Sequence, residues 1–116
     1  MRNFKKLVIW QKSMMLVNII YDVSRFFPED EKYGMRSQFT RAGVSIPTNI
    51  AEGCAKKSEK EYLRYMEISL GSSYELETQL LIIEQRNWFP EGKLAELLAL
   101  TIEIQKMITR LIEKTA

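Results

Sequence analysis

An all-α chain folded as an antiparallel, up-and-down four-helix bundle is the architecture this sequence predicts, and three observations predict it. Apolar residues recur at steps of three and four through four segments, which places them on one face of a helix. No segment sustains the period-two alternation of a half-buried strand. The breaks between the segments are short, and short connections make consecutive helices antiparallel neighbours. With 116 residues, 1–116 reads as a single domain.

The first helix is expected from about Leu7 to Phe26. It carries two apolar stripes, Leu7, Trp10, Met14, Val17 and Tyr21, and Ile9, Leu16, Ile19/Ile20, Val23 and Phe26/Phe27. An outer helix of a monomeric bundle needs one such stripe, so two imply burial on two sides. Pro28 ends this helix because the residue before proline avoids the α region. Pro28, Glu29, Asp30 and Glu31 are then expected to open the second helix, since proline and acids suit a first turn. Along it, Met35, Phe39, Ala42/Gly43, Ile46 and Ile50 share one face, and Ser37, Arg41, Ser45, Thr48 and Glu52 another. Pro47 lies inside this pattern and frees the carbonyl of Gly43, so the second helix is expected to be kinked but continuous. Ser45, Asn49 and Glu52 are either a polar site beside this kink or structural groups, with Ser45 or Asn49 satisfying carbonyls freed by the proline and Glu52 pairing with a nearby base, and Gly53 is expected to stop the helix.

Ser58 to Glu61 reads as a capping box opening a third helix from about Glu59 to Arg86. Its seam is Tyr62, Met66, Ser69, Ser73, Leu76, Leu80 and Ile83. The small middle, Ser69 to Ser73 with Gly71, has low helix propensity, which predicts close approach of another helix, with Ala42-Gly43 as the expected partner. Asn87 suits a left-handed cap. The fourth helix is expected over about Glu91 to Lys114, with Leu94, Leu97, Thr101, Ile104, Ile108 and Leu111 as its seam and Leu98, Ile102 and Ile112 as a second line.

Composition narrows the function. There is no His, which removes the commonest general base and transition-metal ligand, and the single Cys54 has no partner for a disulfide. No Gly-rich phosphate loop appears. The reading is therefore a non-enzyme with no cofactor and no metal. No apolar run approaches the length of a membrane span, and the apolar run Leu7–Trp10 after the basic start is too short for a signal peptide. A cytoplasmic location without membrane contact is expected.

Charge is unevenly spread. Residues 32–64 hold seven bases against three acids, whereas residues 65–86 hold Arg86 against Glu67, Glu75, Glu77 and Glu84. Lys56, Lys57, Lys60 and Arg64 cluster at the junction of the second and third helices, with Lys57, Lys60 and Arg64 on one stripe, and Arg36 and Arg41 form a second group. These six are the candidate phosphate contacts. The competing reading is an ordinary solvated surface, given a net charge of only +2. Trp10, Trp88, Tyr62, Tyr65 and Tyr74 are either base-stacking groups or core and interface residues. Cys54, next to Lys56 and Lys57, is either a thiol of lowered pKa or an incidental small residue.

Gln38, Arg41, Ser45-Ile46-Pro47 and Asn49-Ile50-Ala51-Glu52-Gly53, together with Gly71-Ser72, Glu75 and Glu77 and with Leu7 and Trp10-Gln11-Lys12, are recognisable. On these residues the chain resembles the small four-helix proteins named after the intervening sequences of bacterial 23S ribosomal RNA genes. It departs from the pattern at Thr40, where a base is frequent, and at Gly43 and Ser69, where Ala is frequent. The resemblance implies a bundle that assembles into a ring, typically a pentamer, without catalytic activity. It also implies similarity to the accessory protein of diversity-generating retroelements, a basic pentameric barrel that binds nucleic acid and a reverse transcriptase. Two functions follow. One is a homo-oligomeric adaptor for RNA or DNA, or for a nucleic-acid enzyme. The other is a structural or protein-binding ring with no nucleic-acid role.

Overall fold

Heptad-spaced apolar residues become four helices in the computed structural model, which describes residues 2–115. They are α1 (Val8–Val23), α2 (Met35–Cys54), α3 (Glu59–Arg86) and α4 (Glu91–Thr115), with 3₁₀ turns at Phe4–Lys6, Ser24–Phe26 and Glu29–Glu31. Among the described residues there is no strand, and no helix is long and apolar enough to cross a membrane. Each helix packs on its chain neighbours, and α1 closes on α4. The whole measures 43 × 24 × 20 Å.

The start of α2 differs from expectation. Pro28 to Glu31 do not open it; Glu29–Glu31 form their own turn, and Gly34 precedes the first residue, Met35. The acidic segment still serves the helix end. Glu31 Oε1 accepts from the Met35 amide at 3.1 Å, supplying one of the partners that a helix N-terminus lacks. The capping box of α3 is half formed. Ser58 Oγ accepts from the Glu61 amide at 3.1 Å, but the Glu61 carboxylate turns to Arg64 at 3.6 Å. Asn87 closes α3 in the left-handed region, at φ 57° and ψ 37°.

α2 runs unbroken through Pro47, which is buried. Among the described residues no side chain donates to the Gly43 carbonyl, and the two carbonyls that follow it take the side-chain bonds instead. Thr48 Oγ1 donates to the Val44 carbonyl at 2.7 Å, and Asn49 Nδ2 to the Ser45 carbonyl at 2.8 Å. Gly53 is not a left-handed stop, since no glycine has positive φ. It lets α2 reach α3. A Cβ there would lie 2.9 Å from Tyr65 Cβ and 3.3 Å from the Tyr62 carbonyl. Gly43 does not pair with the small middle of α3 as expected. A Cβ on Gly43 would meet Ile20 of α1, and nothing lies within 4 Å of a Cβ at Gly71.

The middle of α3 meets α2 through hydroxyls instead. Ser69 Oγ donates to the Ile46 carbonyl at 2.9 Å in the core, and Ser45 and Ser72 hydroxyls bond at 2.8 Å. Across the other side, Gln105 of α4 donates to the Ser73 carbonyl at 3.3 Å and to Glu77 Oε1 at 2.8 Å. The predicted α3 seam is buried at all seven positions, and Gln79 joins it. In α1 the stripe Ile9, Leu16, Ile20 and Val23 enters the core, whereas Met14 and Tyr21 of the other stripe stay exposed. Below the core, Phe27 packs edge-on against Phe39, Trp88 and Phe89 at 5.5, 5.7 and 5.1 Å. This cluster ties the α1–α2 and α3–α4 connections together.

Ile46→Ala, Leu76→Ala and Ile104→Ala should each cost about 2–5 kcal/mol in urea unfolding, because all three side chains are fully buried. Losses below about 0.5 kcal/mol would place them at the surface. Gly53→Ala should destabilise by about 1–3 kcal/mol, since backbone and a Cβ stand in its way. Gly43→Ala should cost less, because only the tip of Ile20 must move.

Candidate nucleic-acid interface

The antiparallel order brings three distant segments to one end of the bundle. Arg2 places its guanidinium 3.6 Å from the centre of the Tyr62 ring, tying the N-terminal segment to the start of α3. Lys12 Nζ pairs with Glu103 Oε2 at 2.9 Å, which ties the second turn of α1 to the middle of α4, and the antiparallel run of α4 carries Arg110 and Lys114 on towards the N-terminal segment. This end therefore holds Arg2, Lys5 and Lys6, then Lys56, Lys57, Lys60 and Arg64, then Arg110 and Lys114. The acids in the same segments, residues 2–6, 52–64 and 110–115, are Glu52, Glu59, Glu61 and Glu113. Nine bases against four acids leave this end at +5, so the rest of a chain of net +2 carries −3. The bundle is an electric dipole along its length, with a field that favours a polyanion at one end.

Lys57 and Lys60 are exposed and make no ion pair among the described residues. They do not share a helical stripe, because Lys57 precedes α3. Lys56 lies 5.1 Å from the Tyr65 ring centre and Arg64 5.9 Å. The exposed Arg64–Glu61 pair is weak enough to be displaced by a phosphate.

Arg36 and Arg41 do not join this cluster. Arg36 stands in the first turn of α2 and Lys56 beyond its last, so the length of a 20-residue helix, about 30 Å, lies between them. Arg36 and Arg41 instead line an open groove of ≈ 350 Å³ with Tyr21, Lys32 and Tyr33. The motif residues divide likewise. Pro47 and Gly53 are buried, Ser45 and Asn49 bond each other at 2.9 Å, and Gln38, Arg41 and Glu52 are exposed. Glu52 has no basic partner among the described residues, contrary to expectation.

Cys54 is buried, and burial pushes its thiol up, against the opposing pull of the Arg2 guanidinium. The reading as a thiol of lowered pKa is therefore corrected. Burial also raises the Tyr62 hydroxyl, with Cys54 adding to the rise and Arg2 opposing it. Tyr62 is buried, Trp88 packs on Phe27, and Trp10 packs on Phe4 at 5.2 Å, so these three are structural. Tyr74 remains half exposed. No three potential metal ligands gather among the described residues.

Arg2, Lys5, Lys6, Arg110 and Lys114 are the members of the basic end that sequence reading missed. The basic start of the chain was the one available signal, and only the antiparallel return of α4 completes the cluster.

A family model described as 23S rRNA-intervening sequence protein matches residues 5–110. Comparison with curated proteins finds no match. Among solved structures, a protein of unknown function from the S23 ribosomal protein family of Bacteroides thetaiotaomicron is similar, with a TM-score of 0.84 at 24% identity. The likeness covers 90% of this chain and 98% of that one.

The raised Cys54 thiol has a measurable consequence. The folded chain holds a proton that the unfolded chain releases, so unfolding free energy is steady at lower pH. It should fall as pH rises from the unfolded thiol's value through the folded one. Cys54→Ala should flatten the first part of that fall and leave the part due to Tyr62. An unchanged slope in Cys54→Ala, measured by urea unfolding across alkaline pH, would refute the assignment.

Proposed function

The chain belongs to the 23S rRNA-intervening sequence protein family, and from that premise we propose that it is a non-catalytic, homo-oligomeric adaptor that binds RNA or DNA in the cytoplasm. The single observation that carries this reading is the convergence of three basic segments on one end of the bundle. No motif that reads base edges appears in the sequence, so this reading has phosphate contacts and weak sequence selectivity.

Assembly strengthens the reading. Large apolar side chains remain exposed on α1 and α3, among them Met14, Met15, Tyr21, Ile68 and Leu81. Trp10, Met14, Val17 and Tyr21 of α1 line, with Val44 and Pro47 of α2, an apolar trough of ≈ 510 Å³. Identical subunits closing into a ring would cover such faces and repeat the basic end once per subunit around the axis. Five is the subunit number that the family resemblance implies. A nucleic-acid enzyme is the protein partner that fits an adaptor of this kind. The same exposed faces favour a second reading, a protein-binding ring without nucleic-acid contact, because they serve protein contact whatever the charge at the ends.

Labelled RNA and DNA, titrated with oligomeric protein and read by fluorescence anisotropy, separate the two. Binding should weaken steeply with salt, with a slope of log K against log salt of about −0.9 per phosphate neutralised on duplex DNA and about −0.7 on single strands. Lys57→Glu and Lys60→Glu together should abolish binding and leave helix content and mass intact. Arg36→Glu should have the smaller effect, since Arg36 lies at the other end. No binding by intact oligomer at low salt would leave the protein-binding ring as the account.

A further inference from the structure

Gly71 poses a problem that the subunit does not solve. It sits in the middle of α3, where glycine is the poorest helix former apart from proline, and nothing in the subunit needs its small size. On the outer face of α3, Ile68 and Tyr74 stand one turn to either side of it and Leu81 and Ile82 about three turns on, each between 39% and 52% exposed. A mid-helix glycine amid exposed apolar side chains fits a helix face that another helix approaches closely. We propose that this face docks into the α1–α2 trough of a second copy of the chain, in a head-to-tail contact. The proposal rests on the reading that the chain assembles and specifies which two surfaces meet.

Charge selects the occupant. Residues 65–85 contain no Lys or Arg, and Glu67, Glu75, Glu77 and Glu84 are their charged side chains. Two α3 faces packed on each other would set acids against acids. The trough offers a complement at its border, where Arg41 stands beside Tyr21, Val44 and Thr48, and Lys32 and Arg36 line the adjoining groove beyond Tyr21. Its apolar floor of Met14, Val17, Val44 and Pro47 matches the apolar side chains of α3.

Height along the bundle agrees. The bonds Ser45–Ser72 and Ser69–Ile46 set Gly71 level with the Val44–Pro47 stretch of α2, and antiparallel counting sets Glu75 and Glu77 level with Arg41. A rotation axis parallel to the helices preserves height. Gly71 of one copy then comes opposite Val44 and Pro47 of the next, and Glu75 opposite Arg41. Towards the basic end the signs exchange, with Glu52 of the trough level with Arg64. Because the two surfaces are different, the contact repeats until the ring closes.

The test is light scattering after size exclusion at micromolar protein, with circular dichroism alongside. Wild type should run as an oligomer. Gly71→Leu, which meets open space in the subunit, should keep its helix content and fall towards the 13.6 kDa subunit. Arg41→Glu and Glu75→Arg should each weaken assembly by about tenfold or more, and the double variant should restore it. If Gly71→Leu fails to fold, the charge exchange decides alone. Wild-type mass in Gly71→Leu, or in both single charge variants, overturns this interface and leaves assembly standing. A wild type that runs at 13.6 kDa removes both.

Discussion

The seam between α2 and α3 is the constraint on which the other features depend. Ser69 donates to the Ile46 carbonyl inside the core, Ser45 meets Ser72, and Gly53 lets the backbone of α2 lie against Tyr62 and Tyr65. An unpaired buried hydroxyl or carbonyl is costly, so these bonds fix the register of the two helices as well as their distance. Small residues are used along this seam where a larger side chain would hold the helices apart. Pro47 is accommodated in the same stretch, buried and inside an unbroken helix.

Register along this seam decides where the charges go. α2 and α3 meet at the connection of Ala55 to Ser58, and the closing of α1 and α4 on this pair brings Arg2 and Lys114 to the same end. Bases from three segments then face one direction, while the middle of α3 keeps its acids without a base. A chain of net charge +2 has weak attraction for a polyanion if its charges are mixed, but a segregated set concentrates the field. The acids along α3 and Arg41 beside the α1–α2 trough carry opposite signs, which is the complement that the proposed contact between copies uses.

Apolar patterning makes a parallel point. The inner stripe of α1 is satisfied within the subunit, and the outer stripe, with Met14 and Tyr21, is not. An apolar face of this extent next to basic side chains has the composition of an interaction surface rather than a solvated one. The proposed adaptor role needs both features at once, side faces for assembly and an end for the ligand.

The sequence by itself determined the number of helices, the extent of α3 and α4, and the α3 seam, because period and helix-stop residues such as Asn87 are local signals that each residue carries. It also marked Lys56, Lys57, Lys60 and Arg64 as neighbours, since they are close along the chain. Tertiary structure decided what depends on distant partners. Arg36 was separated from the Lys56 group by a helix length, while Arg2 and Lys114 were brought towards it by antiparallel packing. Gly53 and Gly71 look alike as letters, yet one touches α3 and the other faces open space. Glu31 caps a helix that it does not belong to, because Gly34 delays the start of α2. Periodicity reports which face of a helix is apolar; only packing reports which neighbour that face meets, and whether the neighbour belongs to the same chain.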